Sequence, residues 1–580
     1  MIDRKPMVYY CIATLIGCYS SYQLLIGTNM WIVLPVAFFI IMMLTQNNKY
    51  VFIAFIFLVS GFLNYYSYFH KSISYKEDIR IEAIGDYNCE GRIRNRKVIV
   101  YGDLKNIKAG ETIFAEGSYK FKPQFEKGIV GEFDIKKYSN VKDDFITKIY
   151  SFKEELYNKY SKLLGKTQAG EVMAAAFGDV SYIGNEEKQD MSKLGIIHVI
   201  SVSGMHMALI FKICEMFLGV FGGIFISLLY CLFTGFSGST FRSWVMIVVL
   251  KISKKVYRNY DALSSISLSA LILMLIYPYY VLDIGCILSY LAVLGITLYY
   301  KKFRKAMYFL PGKLDEYIAL SLSAQIFTFP VCTAIFNSVS LSMLQGNILI
   351  VPIYSAIVVI GNLSMLVSKS YFLFKITCIP LKLALLALSG GKQILLNIYS
   401  GLLYLSYIDA LVFMMIYISY ILIKSGKRKF IYMPLFTIIL YAFSYYSYYT
   451  QLDYVKLGNS NGVIYRYGFK SVLYTFKPLS DNEDYIKKKF NVLEIKNVDE
   501  DIQLNKLNEG IKIEIQKEMD KGKVYIIKNN QKSYLDFLQK TQFMKNESDY
   551  DIIYVYYEKS YNHYDRLISV EIKNGRLFIT

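Results

Sequence analysis

The stretch that decides the fold reads Gly-Ile-Ile-His-Val-Ile-Ser-Val-Ser-Gly-Met-His-Met-Ala-Leu-Ile and occupies residues 195–210. It is apolar enough to enter a membrane. Its polar side chains, at roughly helical spacing, are His198, Ser201, Ser203 and His206. Such groups inside a bilayer are costly and usually face a cavity, a pathway or another helix. The stretch predicts either a route through a membrane or a helix pair that Ser203 and Gly204 allow to pack closely.

The chain as a whole has the composition of a polytopic membrane protein. Of its 580 residues, 54% are hydrophobic, and they come in blocks of roughly 18 or more, the length that spans a bilayer as helix. The formal net charge is +19. Basic cytoplasmic loops account for such an excess in a membrane protein, so charge alone does not indicate a nucleic-acid partner.

The apolar blocks predict roughly thirteen spans through a membrane. Three fall within 1–69, about seven lie between Ile196 and Leu366, and the last three are near 371–390, 407–423 and 430–448. Arg4 and Lys5 place the N-terminus inside. The basic clusters at 251–258, 301–305 and 424–429 fall on inner loops, so residues 70–145 and the C-terminal domain, 450–580, are expected outside.

Residues 70–145 are soluble in character. Short strand patterns at 98–100, 112–114 and 133–135 are separated by Gly and Asn turns and predict a small barrel, most commonly an OB-fold. Residues 146–195 follow as an amphipathic helix and linker helices. The sequence Gly165-Lys166-Thr167 is no phosphate loop, because Tyr160 stands where the first glycine is needed.

Three arginines in this small barrel alternate along the chain: Arg92, Arg94 and Arg96. On a strand they would share one face. That face is either a charged edge that prevents aggregation or a basic groove for single-stranded nucleic acid, with Tyr119 and Phe121 as stacking rings.

The membrane region resembles the ComEC family of DNA-internalisation channels. The stretch at 195–210 matches its signature Gly-x-x-His-hydrophobic-x-x-x-Ser-Gly-x-His, and 131–138 matches the end of its N-terminal domain. One further block lies upstream of this signature, at 174–179. Four more lie downstream in the family's order, at 232–242, 277–293, 323–330 and 346–352. Two departures are Ile284 for Pro and Ile287 for Gln, and the second removes a polar group that could line a pathway.

The resemblance implies a channel domain at 196–449 that passes one DNA strand inward during natural transformation. Its implied partners are single-stranded DNA, membrane lipids, a separate DNA receptor, a nuclease and a cytoplasmic helicase ATPase. Candidates for the DNA pathway are His198, Ser201, Ser203, Gly204, His206, Asp179, Arg242, Asp283, Gln325 and Asn347. Arg242 could meet phosphates or could merely snorkel to the interface.

Residues 452–476 resemble the start of the metallo-β-lactamase-like domain that ends many family members. The metal motif His-x-His-x-Asp-His is absent from the sequence. Of the chain's four histidines, only His563 lies in the C-terminal domain, 450–580. Tyr474 stands where the family has an Asp. A dinuclear site needs several converging ligands, so we expect no metal, no cofactor and no nuclease activity. The alternative to a channel is a transport-inactive scaffold paralogue. An unrelated small-molecule transporter would show inverted repeats, which the sequence lacks.

Overall fold

A computed structural model describes residues 5–70, 73–85, 88–102, 107–142, 144–200, 202–235, 238–255, 261–311, 314–399, 401–458, 460–477, 479, 483–498, 502–504, 511–518, 521–528, 531–539, 551–557, 564–573 and 576–579. The chain divides into two compact units. The first comprises Met1–Thr328 and Ser340–Gly401, and the second comprises Phe329–Val339 and Leu402–Thr580.

The first unit opens with three helices, α1 (Pro6–Leu25), α2 (Val33–Thr45) and α3 (Asn48–His70). Helices α1 and α3 pack backbone against backbone. A methyl group on Gly17 would lie 2.1 Å from the carbonyl oxygen of Leu58, and one on Gly61 would lie 2.5 Å from that of Thr14. Small residues therefore hold this pair together, as is common between membrane helices.

A closed five-stranded barrel follows, and it confirms the small barrel predicted from the sequence. Its strands are β1 (Lys76–Ile84), β2 (Cys89–Ile93), β3 (Arg96–Tyr101), β4 (Thr112–Lys120) and β5 (Ile129–Lys142). They pair in the order β1-β2-β3-β5-β4, with β3 parallel to β5. The three predicted strand segments lie in β3, β4 and β5. Alternate residues such as Val98, Val100 and Phe133 fill the barrel and are fully buried.

The predicted amphipathic helix is confirmed as α4 (Phe145–Leu164). It begins at Asp144, whose carboxylate accepts hydrogen bonds from the N–H groups of Ile146 and Thr147. Helix α5 (Lys166–Phe177) is largely buried, and α6 (Asn185–Lys193) follows.

Helix α7 (Gly204–Phe233) is a hairpin, because Gly219 has φ 70° and ψ −178° and reverses the chain. A methyl group on Gly223 would lie 3.0 Å from the Phe211 ring of the other arm. Helix α8 (Gly238–Lys255) runs beside it. Cys231 Sγ lies 3.6 Å from Thr240 Oγ1 near the start of α8, and the Lys255 amine lies 3.9 Å from the centre of the Phe221 ring near the turn.

The remaining helices are α9 (Ala262–Ile276), α10 (Ile284–Ala306), α11 (Leu314–Phe336), α12 (Met343–Leu366), α13 (Tyr371–Asn397), α14 (Tyr407–Lys424) and α15 (Met433–Ser444). By length and composition alone, 7 helical segments in the described part of the chain could cross a membrane: Asn48–His70, Ile197–Phe233, Ile284–Ala306, Leu314–Phe336, Met343–Leu366, Tyr371–Asn397 and Tyr407–Lys424. The second of these segments includes the α7 hairpin. The count of thirteen spans is not confirmed and stays a prediction. Several predicted spans fall on short helices, with 13 residues in α2, 15 in α9 and 12 in α15.

The C-terminal part of the second unit is rich in strands. A short pair, β6 (Ser338–Ser340) and β7 (Leu402–Tyr404), comes first in the chain. The further elements are β8 (Ser447–Leu457), β9 (Ser460–Gly468), β10 (Lys470–Thr475), α16 (Glu483–Phe490), β11 (Glu494–Asn497), β12 (Ile502–Leu504), β13 (Ile511–Glu518), β14 (Lys521–Lys528), β15 (Gln531–Gln539), β16 (Asp551–Tyr557), β17 (Tyr564–Lys573) and β18 (Arg576–Ile579).

These strands form one sheet in the order β11-β10-β9-β8-β17-β18 and another in the order β12-β13-β14-β15-β16. Leu452 and Val463 of the first sheet share a buried core with Ile513 and Val524 of the second. Tyr474 is only 2% exposed in this core, and burial raises the pKa of its phenol to about 12. The metallo-β-lactamase-like assignment stays a prediction, and His563 lies outside the described residues.

Candidate functional site

The signature stretch is not one continuous helix. His198 lies in a 3-10 turn, Ile197–Val199, and α7 begins only at Gly204. Ser203, in the extended conformation, is the N-cap of α7. Ser201 lies outside the described residues. Among the described residues, His198 and His206 therefore do not lie on one continuous helix, because the chain is extended at Ser203 before α7 starts.

His206 is the buried polar group of this stretch, with 1% of its surface exposed. Its Nδ1 accepts a hydrogen bond from the backbone N–H of Ser203 at 3.2 Å. A neutral imidazole that accepts at Nδ1 carries its proton on Nε2. That Nε2 is buried and meets no hydrogen-bond partner among the described residues. An unsatisfied buried donor is costly, so this N–H is available to an incoming acceptor.

Arg242 of α8 is buried as well, with 5% of its surface exposed. Its Nε and Nη2 donate to Ser289 Oγ at 3.2 and 2.8 Å, and its guanidinium carbon lies 5.7 Å from the centre of the Tyr290 ring. Among the residues that the structure describes, its Nη1 contacts only the Met246 sulfur, a weak acceptor, at 3.8 Å. None of the described ion pairs includes Arg242. Burial excludes the snorkelling interpretation.

The N-terminus of α7 and Arg242 are adjacent. A methyl group on Gly204 would lie 3.4 Å from Arg242 Nη2 and 2.6 Å from Ser243 Oγ. A side chain at Gly204 would therefore displace the Ser243 hydroxyl, so α7 and α8 approach closely at this point. The first turn of a helix presents unsatisfied N–H groups and a positive partial charge. Because a buried guanidinium lies beside this first turn, the junction has the chemistry of an anion-binding site.

Two predicted pathway carboxylates are helix caps. Asp179 accepts from the N–H and hydroxyl of Ser181 at 3.2 and 2.5 Å and begins the 3-10 turn Val180–Tyr182. Asp283 accepts from the N–H of Cys286 at 2.6 Å at the start of α10. Both carboxylates are engaged in local structure, so the structure gives neither a demonstrated place on a pathway.

Gln325 and Asn347 do come together. Both donate to Ser321 Oγ, at 3.2 and 2.9 Å, and so connect α11 with α12. Asn347 Oδ1 is buried and has no partner in the described part of the chain. Sequence reasoning missed Ser321, because a lone serine in an apolar helix carries no signal. It also missed Ser289, although that residue lies inside the block at 277–293 that resembles the family.

The barrel arginines do not form the predicted face. Arg92 lies one residue before the end of β2 and pairs with Glu82 at 2.8 Å, and Arg96 is the first residue of β3. Arg94 lies in the turn between them, with φ 44°, and pairs with Glu77 at 3.1 Å. The prediction that one β-strand carries all three arginines is wrong, because a two-residue hairpin turn separates β2 from β3.

The two predicted stacking rings differ in their exposure. Tyr119 donates its hydroxyl to the carbonyl oxygen of Val130 at 2.9 Å and is partly buried. Phe121 is 56% exposed, so its ring is open to a stacking base.

Comparison with known proteins places the signature in a recognised domain. The competence protein family model matches residues 176–429. ComE operon protein 3 of Bacillus subtilis is 26% identical over 229 residues, which are 38% of this chain and 29% of that protein. Recombination protein 2 of Haemophilus influenzae is 25% identical over 260 residues, 40% of this chain and 32% of that protein. An uncharacterized protein of Aquifex aeolicus is 26% identical over 257 residues, 43% of this chain and 56% of its own length.

The chain thus spans between 29% and 56% of the length of these relatives. No solved structure matches it. The matched segment contains the 3-10 turn of His198, the α7 hairpin, Arg242 and the Ser321 cluster. Over residues 176–429, which make up less than half of its length, the chain is similar to the competence protein family.

Proposed function

We propose that this protein passes one strand of DNA across the cytoplasmic membrane during natural transformation, as a multi-pass channel without its own nuclease. The competence domain and the names of the relatives from Bacillus subtilis and Haemophilus influenzae support a role in DNA uptake. A separate receptor, a nuclease that removes the other strand and a cytoplasmic helicase ATPase would complete the pathway.

The observation that carries the proposal is the uncompensated charge of Arg242. A buried guanidinium is strongly disfavoured unless an anion or several good acceptors surround it. Within the described part of the chain, Arg242 contacts one serine hydroxyl, one ring face and one sulfur. The start of α7 adds further positive potential instead of cancelling it. A passing phosphate would supply the missing negative charge and an acceptor oxygen for the Nη1 group of Arg242.

The absence of a nuclease is part of the proposal. It rests on the sequence, in which only His563 is available to the C-terminal region. In addition, no group of three or more His, Cys, Asp or Glu among the described residues could hold a metal ion. Manganese-stimulated DNA cleavage by the purified chain, lost on the substitution His563→Ala, would contradict this part.

The experiment is complementation of a transformable host that lacks its own ComEC-family protein. We expect Arg242→Gln to lower transformation by at least about tenfold, since charge-assisted hydrogen bonds contribute about 1.5–3 kcal/mol, while Arg242→Lys keeps part of it. Arg304→Gln is the matched control, because Arg304 is half-exposed and paired with Asp315 and Glu316. Full transformation by Arg242→Gln at normal membrane levels would overturn the proposal.

A further inference from the structure

Helix α13 carries a polar stripe along one flank. Its members, spaced by four, seven, seven and four residues, are Tyr371, Lys375, Lys382, Ser389 and Gln393. This spacing keeps all five on one side of a helix, and each of them is exposed. The side of the helix next to this stripe packs into the unit through Phe374, Cys378, Leu381, Leu385, Leu388, Gly391 and Leu395. The stripe therefore lies beside a surface of exposed apolar residues that suits lipid, such as Leu383 at 64% exposure.

Lys382 is the anomaly in this stripe, because it lies near the middle of a 27-residue span. It is about 17 Å from the start of α13 and about 22 Å from its end. Snorkelling brings a lysine near a helix end to the interface, but from the centre of the span the amine remains deep. A charge at such a depth is rare and usually faces water or a partner charge rather than lipid.

Within the described residues, no carboxylate pairs with Lys382, and α13 contains no Asp or Glu. Lys392, ten residues further along, provides the contrast. It is paired with Glu171 of α5, and both side chains are largely buried. The same helix thus holds one lysine whose charge is compensated inside the fold and one whose charge points outward without compensation.

We propose that this flank of α13 lines a water-filled route and binds the phosphate backbone of a single nucleic-acid strand. The inference rests on the proposed function and extends it to a second surface. Charge complementarity selects the occupant, since the stripe has two cations, three neutral hydrogen-bonding groups and no acid. Lys375 and Lys382 are about 10 Å apart along the helix axis, so an extended strand can contact both amines together.

The first test measures water access in the full-length protein in membrane vesicles. Lys382→Cys is treated with a charged, membrane-impermeant maleimide, and the modified peptide is located by mass spectrometry. We expect rapid labelling at position 382 and at least tenfold slower labelling in the control Leu383→Cys. Added single-stranded oligonucleotide should slow the labelling at 382. Absence of labelling at 382, or labelling that the oligonucleotide does not change, would overturn the proposal.

The second test measures transport. If this flank of α13 faced lipid, the Lys382→Leu variant would keep its transformation activity, because leucine is well accommodated in lipid. We expect instead that Lys382→Leu lowers the transformation frequency tenfold or more at normal protein levels, and that Lys382→Arg keeps most of it. A thiol-to-thiol cross-link between two chains at position 382 would identify a second copy as the occupant and overturn the proposal. Labelling does not require transport, and failure of the proposed function appears separately as normal transformation by Arg242→Gln.

Discussion

The barrel and the membrane domain use arginine in opposite ways. In the barrel, Arg92 and Arg94 are matched by Glu82 and Glu77. In the membrane domain, Arg242 is more deeply buried and has no carboxylate within ion-pair distance in the part of the chain that the structure describes. The comparison shows that the number of basic residues says little about nucleic-acid binding. What matters is whether the fold has already neutralised each charge.

The largest effect is expected when Arg242 is given a carboxylate partner, as the barrel arginines have. Ser289→Asp places a carboxylate where Ser289 Oγ now accepts from Arg242 at 2.8 Å. The new ion pair should satisfy Arg242 and exclude a phosphate, so we expect transformation to fall at least about tenfold. Ser289→Ala is the control, because it removes the hydrogen bond without adding an anion. Equal transformation by the Asp variant and the parent would break the comparison.

A smaller effect is expected when a barrel arginine loses its carboxylate partner and is left unpaired, as Arg242 is among the described residues. Glu82→Gln removes the carboxylate from Arg92, whose side chain is 23% exposed. Loss of a charged hydrogen bond costs about 1–3 kcal/mol, so amide exchange in β2 and β3 should accelerate about tenfold or more. Glu154→Gln, which breaks the exposed pair with Lys108, should change exchange little. Unchanged exchange with Glu82→Gln would show that this pair does not stabilise the barrel.

The smallest effect is the response of the barrel to acid. Burial opposes ionisation of Asp144, but hydrogen bonds from Thr147 and Ile146 and the charge of Arg80 prevail and hold the pKa of Asp144 below its ordinary value. Its stabilising contribution is present above the unfolded pKa near 4 and is lost as the pH falls through the lowered pKa. Exchange at the start of α4, corrected for intrinsic rate, should therefore rise below about pH 4. Asp144→Asn should remove that dependence, and a dependence that persists would refute the assignment.

The parts of the fold that repeat a local pattern could be predicted. Short strand-like runs between Gly and Asn turns predicted β3, β4 and β5, and helical periodicity predicted α4. The arginine face failed because Arg94 and Asn95 form a turn with positive φ. Asn95 was the available signal, since Asn favours the left-handed turn position.

The candidate site was predicted only in outline. The signature identified His206 and its neighbour Ser203, which are three residues apart. The partner of Arg242 is 47 residues away, and a contact across that distance leaves no periodicity in one sequence. The reversal at Gly219 was likewise hidden, because hydropathy is the same for a straight helix and for a hairpin.

The reversal at Gly219 has a consequence for sidedness. Each arm of α7 has about 15 residues and a length of about 22 Å, against about 30 Å for the hydrocarbon layer. The hairpin either dips into one leaflet and returns or crosses twice with local thinning. Both outcomes give an even number of crossings, so Ser203 and Thr234 share one face of the membrane. The orientation of every later helix therefore does not depend on how deeply the α7 hairpin enters the membrane. An insertion error at α7 would leave the topology of the later helices unchanged.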